Sequence, residues 1–88
     1  MGDRVDGLRG EIGANDERIV AAVNERLRLV SELWELKREL GIDRVDPHRE
    51  QALRAQLAAT NSGPLSADGL EELISELLAL TKRELGSR

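Results

Sequence analysis

The chain has 88 residues and a mass of 9.7 kDa, the size of one small domain spanning residues 1–88, whose single core is marginal without help from a second copy. With no Cys and one His it can build no disulfide, thiolate nucleophile or multi-His metal site, and a single aromatic residue, Trp34, offers no stacking platform for single-stranded nucleic acid. A net charge of -4 argues against DNA, yet 11 of the 13 cationic residues are Arg, a bias suited to holding planar carboxylates or phosphates by paired hydrogen bonds.

From Asp3 to Leu40 there is no Pro, and apolar residues recur at Val5, Leu8, Ile12, Ile19, Val23, Val30, Leu33 and Leu40 in steps that are sums of three and four. That spacing predicts one long helix, stopped by Gly41 and only weakened by Gly7, Gly10 and Gly13. After a short loop, Ile42-Asp43-Arg44-Val45, the pair Asp46-Pro47 reads as an N-cap followed by Pro at the first helical position, opening a second helix from Pro47 to about Ala59. Thr60-Asn61-Ser62-Gly63-Pro64 is a turn cluster. Ser66 then caps a third helix that carries Leu70, Leu73, Ile74, Leu77, Leu78 and Leu85 and ends near Gly86. The fold class expected is all-α, with no strand pattern, internal repeat or membrane-length apolar run. Met1-Gly2-Asp3-Arg4 leads into no signal-peptide core, so the expected compartment is the cytoplasm.

The first helix would be ~57 Å long, whereas the other two together supply only ~49 Å of partner. One chain therefore cannot cover its own long helix. The arrangement expected is an intertwined homodimer with the two long helices antiparallel, in which Asn15, between Ile12 and Ile19, either fixes the register or is simply solvated.

Two cations stand in the apolar line. Along Ile19, Val23, Arg26, Val30, Leu33, Lys37 and Leu40 every step is three or four, so Arg26 and Lys37 either snorkel to the helix edge or hold an anion between them, ~16 Å apart along the axis. Arg9 lies ~25 Å from Arg26 on the same helix and could reach that site only from an antiparallel partner. At the start of the second helix Asp46, Arg49 and Glu50 accompany free backbone N–H groups, an arrangement that serves equally as a plain N-cap with a solvated first turn. His48 is expected on the surface and Trp34 in packing. No catalytic triad, phosphate-binding Gly loop or metal-ligand spacing occurs, and neither cofactor nor metal is expected.

Taken in order, Leu8-Arg9-x-x-Ile12, Asp16-Glu17-x-Ile19, Asn24-Glu25-Arg26, Lys37, Asp46-Pro47-x-Arg49-Glu50 and Asn61-x-Gly63-Pro64-Leu65-Ser66 resemble the all-helical chorismate mutases of the bacterial type. The resemblance covers roughly residues 5 to 85. It implies an intertwined three-helix dimer that converts chorismate to prephenate in the shikimate route to phenylalanine and tyrosine. It further implies that Arg9 of the partner chain and Arg26 grip the two substrate carboxylates, that Lys37 contacts a carboxylate and the ether oxygen, and that Asp46, Arg49 and Glu50 surround the ring and its hydroxyl.

In the third helix the family usually carries a Ser and, four residues later, a Gln that donates to the ether oxygen. Gapless counting sets Thr81 and Leu85 there, so the hydroxyl is kept and the amide is not. Glu84 would approach the same oxygen after a slight helix rotation, donating as a protonated acid, and is the third catalytic candidate beside Arg26 and Lys37. An isochorismate-pyruvate lyase on the same scaffold remains an alternative. So does a dimerisation module or weakly active subunit that depends on another shikimate-pathway enzyme.

Overall fold

The computed structural model describes residues 2–86 and contains three helices, α1 (Gly2–Leu40), α2 (Pro47–Thr60) and α3 (Ala67–Leu85). The expected boundaries hold to within a residue or so, because each end has a local chemical cause. At the end of α1 the amide of Gly41 donates to the Arg38 carbonyl (3.3 Å) and that of Ile42 to the Lys37 carbonyl (2.8 Å). This is the paired-bond helix terminus that needs a left-handed residue, and Gly41 supplies it at φ 70°. Asp46 accepts from the amides of His48 (3.1 Å) and Arg49 (3.3 Å) to start α2 beside Pro47. Ser66 accepts from Gly69 (3.0 Å) to start α3. Between them Asn61 closes the turn, its side chain donating to the Leu65 carbonyl and accepting from the Gly63 amide.

α3 is the element on which both others pack. Its buried residues, Leu70, Ile74, Thr81 and Leu85, repeat at four, seven and four, a single stripe down one face. Ile74 is 1% exposed and sits at the centre of what core there is. The molecule is elongated, 60 × 26 × 17 Å, and its long axis is close to the ~58 Å expected of 39 helical residues.

Most of α1 has nothing to lean on. Every residue from 2 to 22 is exposed, including Val5, Leu8, Ile12, Ile19 and Val20, with Ile12 at 59%. The apolar stripe read from the sequence is therefore present but uncovered along that half. Gly7, Gly10 and Gly13 lie in the same stretch, and a Cβ at any of them would meet open space. Asn15 is exposed there and accepts a long contact of 3.5 Å from Arg18.

Candidate functional site

The C-terminal half of α1, the loop after it, the start of α2 and the end of α3 enclose a groove of about 860 Å³. Arg26, Val30, Leu33, Trp34 and Lys37 line its α1 wall, which confirms that the two cations share a face with the apolar stripe. Steps of three and four along a 3.6-residue helix put them there. Asp46, Arg49, Glu50 and Leu53 form the α2 wall, and Leu78, Thr81, Lys82 and Gly86 the α3 wall, with Ile42 to Val45 joining the first two. The cap that starts α2 thus also aims its first turn, and with it Arg49 and Glu50, at the groove.

Arg26 and Thr81 are fastened to each other across 55 residues of chain. The guanidinium donates from Nη1 to Thr81 Oγ1 at 2.6 Å, while the hydroxyl donates its own proton to the Leu77 carbonyl at 2.7 Å. Thr81 is buried at 6% exposure and Arg26 is half-buried, so this bond is shielded from most competing water. Lys37, also half-buried, donates to the backbone carbonyl of Arg44 at 3.3 Å, tying the loop to α1. The guanidinium carbon of Arg44 stands 4.5 Å from the centroid of the Trp34 ring, a cation–π contact that fixes the same loop a second time. Trp34 is half-buried and does the packing expected of it, and it also forms groove wall.

Charge in the groove is unbalanced. Five cationic side chains (Arg26, Lys37, Arg44, Arg49 and Lys82) face three carboxylates (Asp43, Asp46 and Glu50), which leaves two positive charges in excess in a chain whose overall charge is -4. Val30, Leu33, Val45, Leu53 and Leu78 give the groove an apolar wall beside these charges. The arrangement suits a small, partly apolar dianion.

Of the residues singled out in the sequence, Arg26, Lys37, Asp46, Arg49, Glu50 and Thr81 come together in this groove. Arg9 does not: it is exposed on the uncovered half of α1 and lies outside the groove of its own chain, as its distance along the helix requires. Glu84 is exposed and is absent from the groove lining. Leu85, at 5% exposure, instead lines a separate hollow of about 250 Å³ beside Ser31, Trp34, Glu35, Arg38 and Arg44. A donor at position 85 would thus be directed away from the groove in this chain. His48 is exposed, as expected.

Sequence reasoning missed Lys82. In the sequence it is indistinguishable from Arg83, both being cations of the last turn of α3, and only the structure shows that Lys82 lines the groove and Arg83 does not. Among the described residues no group of three or more metal-ligating side chains occurs, and no helix is long and apolar enough to cross a membrane.

The family model for chorismate mutase type II matches residues 8–84. Among solved structures, form I of chorismate mutase from Thermus thermophilus superposes with a TM-score of 0.84 at 35% identity, covering 89% of this chain and 98% of that one. Form II of the same enzyme gives 0.87 at 34% identity, covering 97% and 96% respectively. No curated protein matches the chain.

Proposed function

Since this chain belongs to the type II chorismate mutase family, an all-helical family of isomerases, we propose that its groove binds chorismate and rearranges it to prephenate. The observation that carries the assignment to this groove is the convergence of Arg26, Lys37 and Arg49 on one partly apolar cleft with two positive charges in excess. The substrate is a dianion. Within it one C–O ether bond breaks as one C–C bond forms, so neither nucleophile, general base nor redox partner enters the balance. What the protein must supply is a folded conformer and stabilisation of the negative charge that develops on the ether oxygen.

Each residue has a role in that reading. Arg26, locked to Thr81 on one side, presents its remaining N–H groups to a substrate carboxylate in a fixed plane. Lys37 is tethered through the Arg44 carbonyl and half-buried, which makes it the preorganised donor for the ether oxygen. Asp46 holds the start of α2, and Arg49 and Glu50 face the ring and its hydroxyl from there. Val30, Leu53 and Leu78 offer an apolar surface to the carbon frame of the substrate.

The reading includes a second copy of the chain. The uncovered apolar stripe over residues 2–22 supports an antiparallel homodimer, in which Arg9 of one protomer closes the groove of the other and binds the second carboxylate. The whole of residues 1–88 acts as one domain, working in the cytoplasm without cofactor or metal. Loss of chorismate absorbance on adding the purified chain, with prephenate identified as product, tests the activity. Pyruvate appearing from isochorismate in its place, or no conversion of chorismate, overturns it.

A further inference from the structure

We propose that Lys82 is a substrate-binding residue, its ammonium gripping a carboxylate of the substrate from the α3 wall. The inference rests on the chorismate mutase reading of the groove and adds to it a residue that no pattern in the sequence marked.

α3 presents two polar side chains to the groove, Thr81 and Lys82. Thr81 has a single hydroxyl proton, which the Leu77 carbonyl takes at 2.7 Å, while Arg26 occupies one of its lone pairs at 2.6 Å. A carboxylate only accepts, so Thr81 can serve it only by releasing Leu77. Glu84 is outside the groove and Leu85 is turned into the neighbouring hollow. What remains on this wall to meet an anion is the ammonium of Lys82, with three donors. Neighbouring Arg83 pairs with Glu76 at 2.7 Å and is absent from the lining, so the two adjacent cations of the last turn of α3 have separate uses.

Within one chain the lining groups carry two excess positive charges, and Arg9 of the proposed partner adds a third, so the groove stays attractive to a dicarboxylate and Lys82 is selected by its place on the wall rather than by charge count. The mode of contact follows from mobility. Lys82 is exposed on a long stem, in contrast to the tethered, half-buried Lys37. Stabilising a charge that appears only in the transition state needs a donor fixed in advance, whereas a full charge present in the ground state can be met by a flexible ammonium. Lys82 therefore acts on binding, and Lys37 on the chemical step.

Trp34 provides the readout, being the one Trp of the chain and part of the groove wall. Its fluorescence is titrated with prephenate for the unaltered protein and for Lys82→Met, Lys82→Arg and Arg83→Gln, alongside steady-state turnover of chorismate. Lys82→Met should weaken prephenate binding and raise KM about tenfold, the scale of one charge-assisted contact, with kcat held within about twofold. Lys82→Arg should restore most of the binding, and Arg83→Gln, which changes net charge equally, should leave it intact. Equal losses in Lys82→Met and Arg83→Gln would reduce the effect to general electrostatics and overturn the proposal. So would an unchanged KM in Lys82→Met, a loss confined to kcat, or an equal KM effect from Glu84→Gln. If the unaltered protein neither binds prephenate nor turns over chorismate, the reading of the groove fails, and Lys82 with it.

Discussion

Replacing Thr81 by Val isolates a single hydroxyl. The two side chains have the same shape, and their helix propensities are close, so neither packing nor backbone preference changes much. The bond lost to the Leu77 carbonyl is a back-bond within the helix, worth little because that oxygen still has its helical partner. The bond lost to Arg26 is charge-assisted, 2.6 Å long and made by a side chain 6% exposed, so its removal should cost about 1.5 kcal/mol, near the lower end of the range because Arg26 is only half-buried. For a domain of this size that is a fall in Tm of roughly 6–12 °C.

Activity should suffer more than stability. A guanidinium released from its anchor shifts by about an ångström, enough for roughly a hundredfold loss in kcat/KM when a carboxylate must be held in one plane. Thr81→Ser returns the hydroxyl and should recover most of both losses. The measurements are thermal unfolding by circular dichroism and chorismate turnover at saturating and limiting substrate. Full activity in Thr81→Val would refute the anchoring argument, as would a Ser variant that regains stability without activity.

On the proposed antiparallel dimer, the Arg9→Ala and Arg26→Ala variants should each be nearly inactive while remaining helical; mixed and allowed to exchange chains, they should regain activity, because a mixed pair gathers both defects in one groove and leaves the other whole. Confirmed exchange without recovery would remove Arg9 from the partner's groove. Asp46→Ala should cost about 1 kcal/mol through loss of the α2 cap and raise KM as Arg49 and Glu50 lose their alignment, an effect that Asp46→Asn should largely avoid. On the outer face of α1, the side-chain hydrogen bond from Arg28 holds the Glu25 carboxyl below its usual range, with both groups exposed. A lowered carboxyl pKa contributes stability above the ordinary carboxylate range and loses it as pH falls through the depressed value, so the Tm gap between the unaltered protein and Glu25→Gln should be present at neutral pH and close in acid. A gap that widens on acidification would contradict the pairing, and molar salt should narrow it at neutral pH.

The helices were legible because their ends are written in residues with one structural use each. Gly41 with φ 70°, Asp46 before Pro47 and Ser66 before α3 are decided by contacts within a few positions, and local patterns carry such information. Arg26 and Lys37 could be read for the same reason, as breaks in a periodic stripe. Lys82 could not be separated from Arg83 in this way, since both look like cations placed to complement the last turn of a helix. Which of them meets the groove depends on how α3 is rotated against α1, a long-range matter fixed by the burial of Ile74, Thr81 and Leu85. The same rotation turns position 85 inward, and no gapless count along the chain can register it.

α1 and α2 meet chiefly through α3, which makes that helix a spacer between two charged walls. The separation of Arg26 and Lys37 from Arg49 and Glu50 then depends on how α1 and α2 each seat on α3, whose buried side chains are Leu70, Ile74, Thr81 and Leu85. A methyl group removed or added there would show first in which dicarboxylate fits rather than in whether the chain folds. Selectivity among substrates of similar charge can thus be retuned from positions that never touch them.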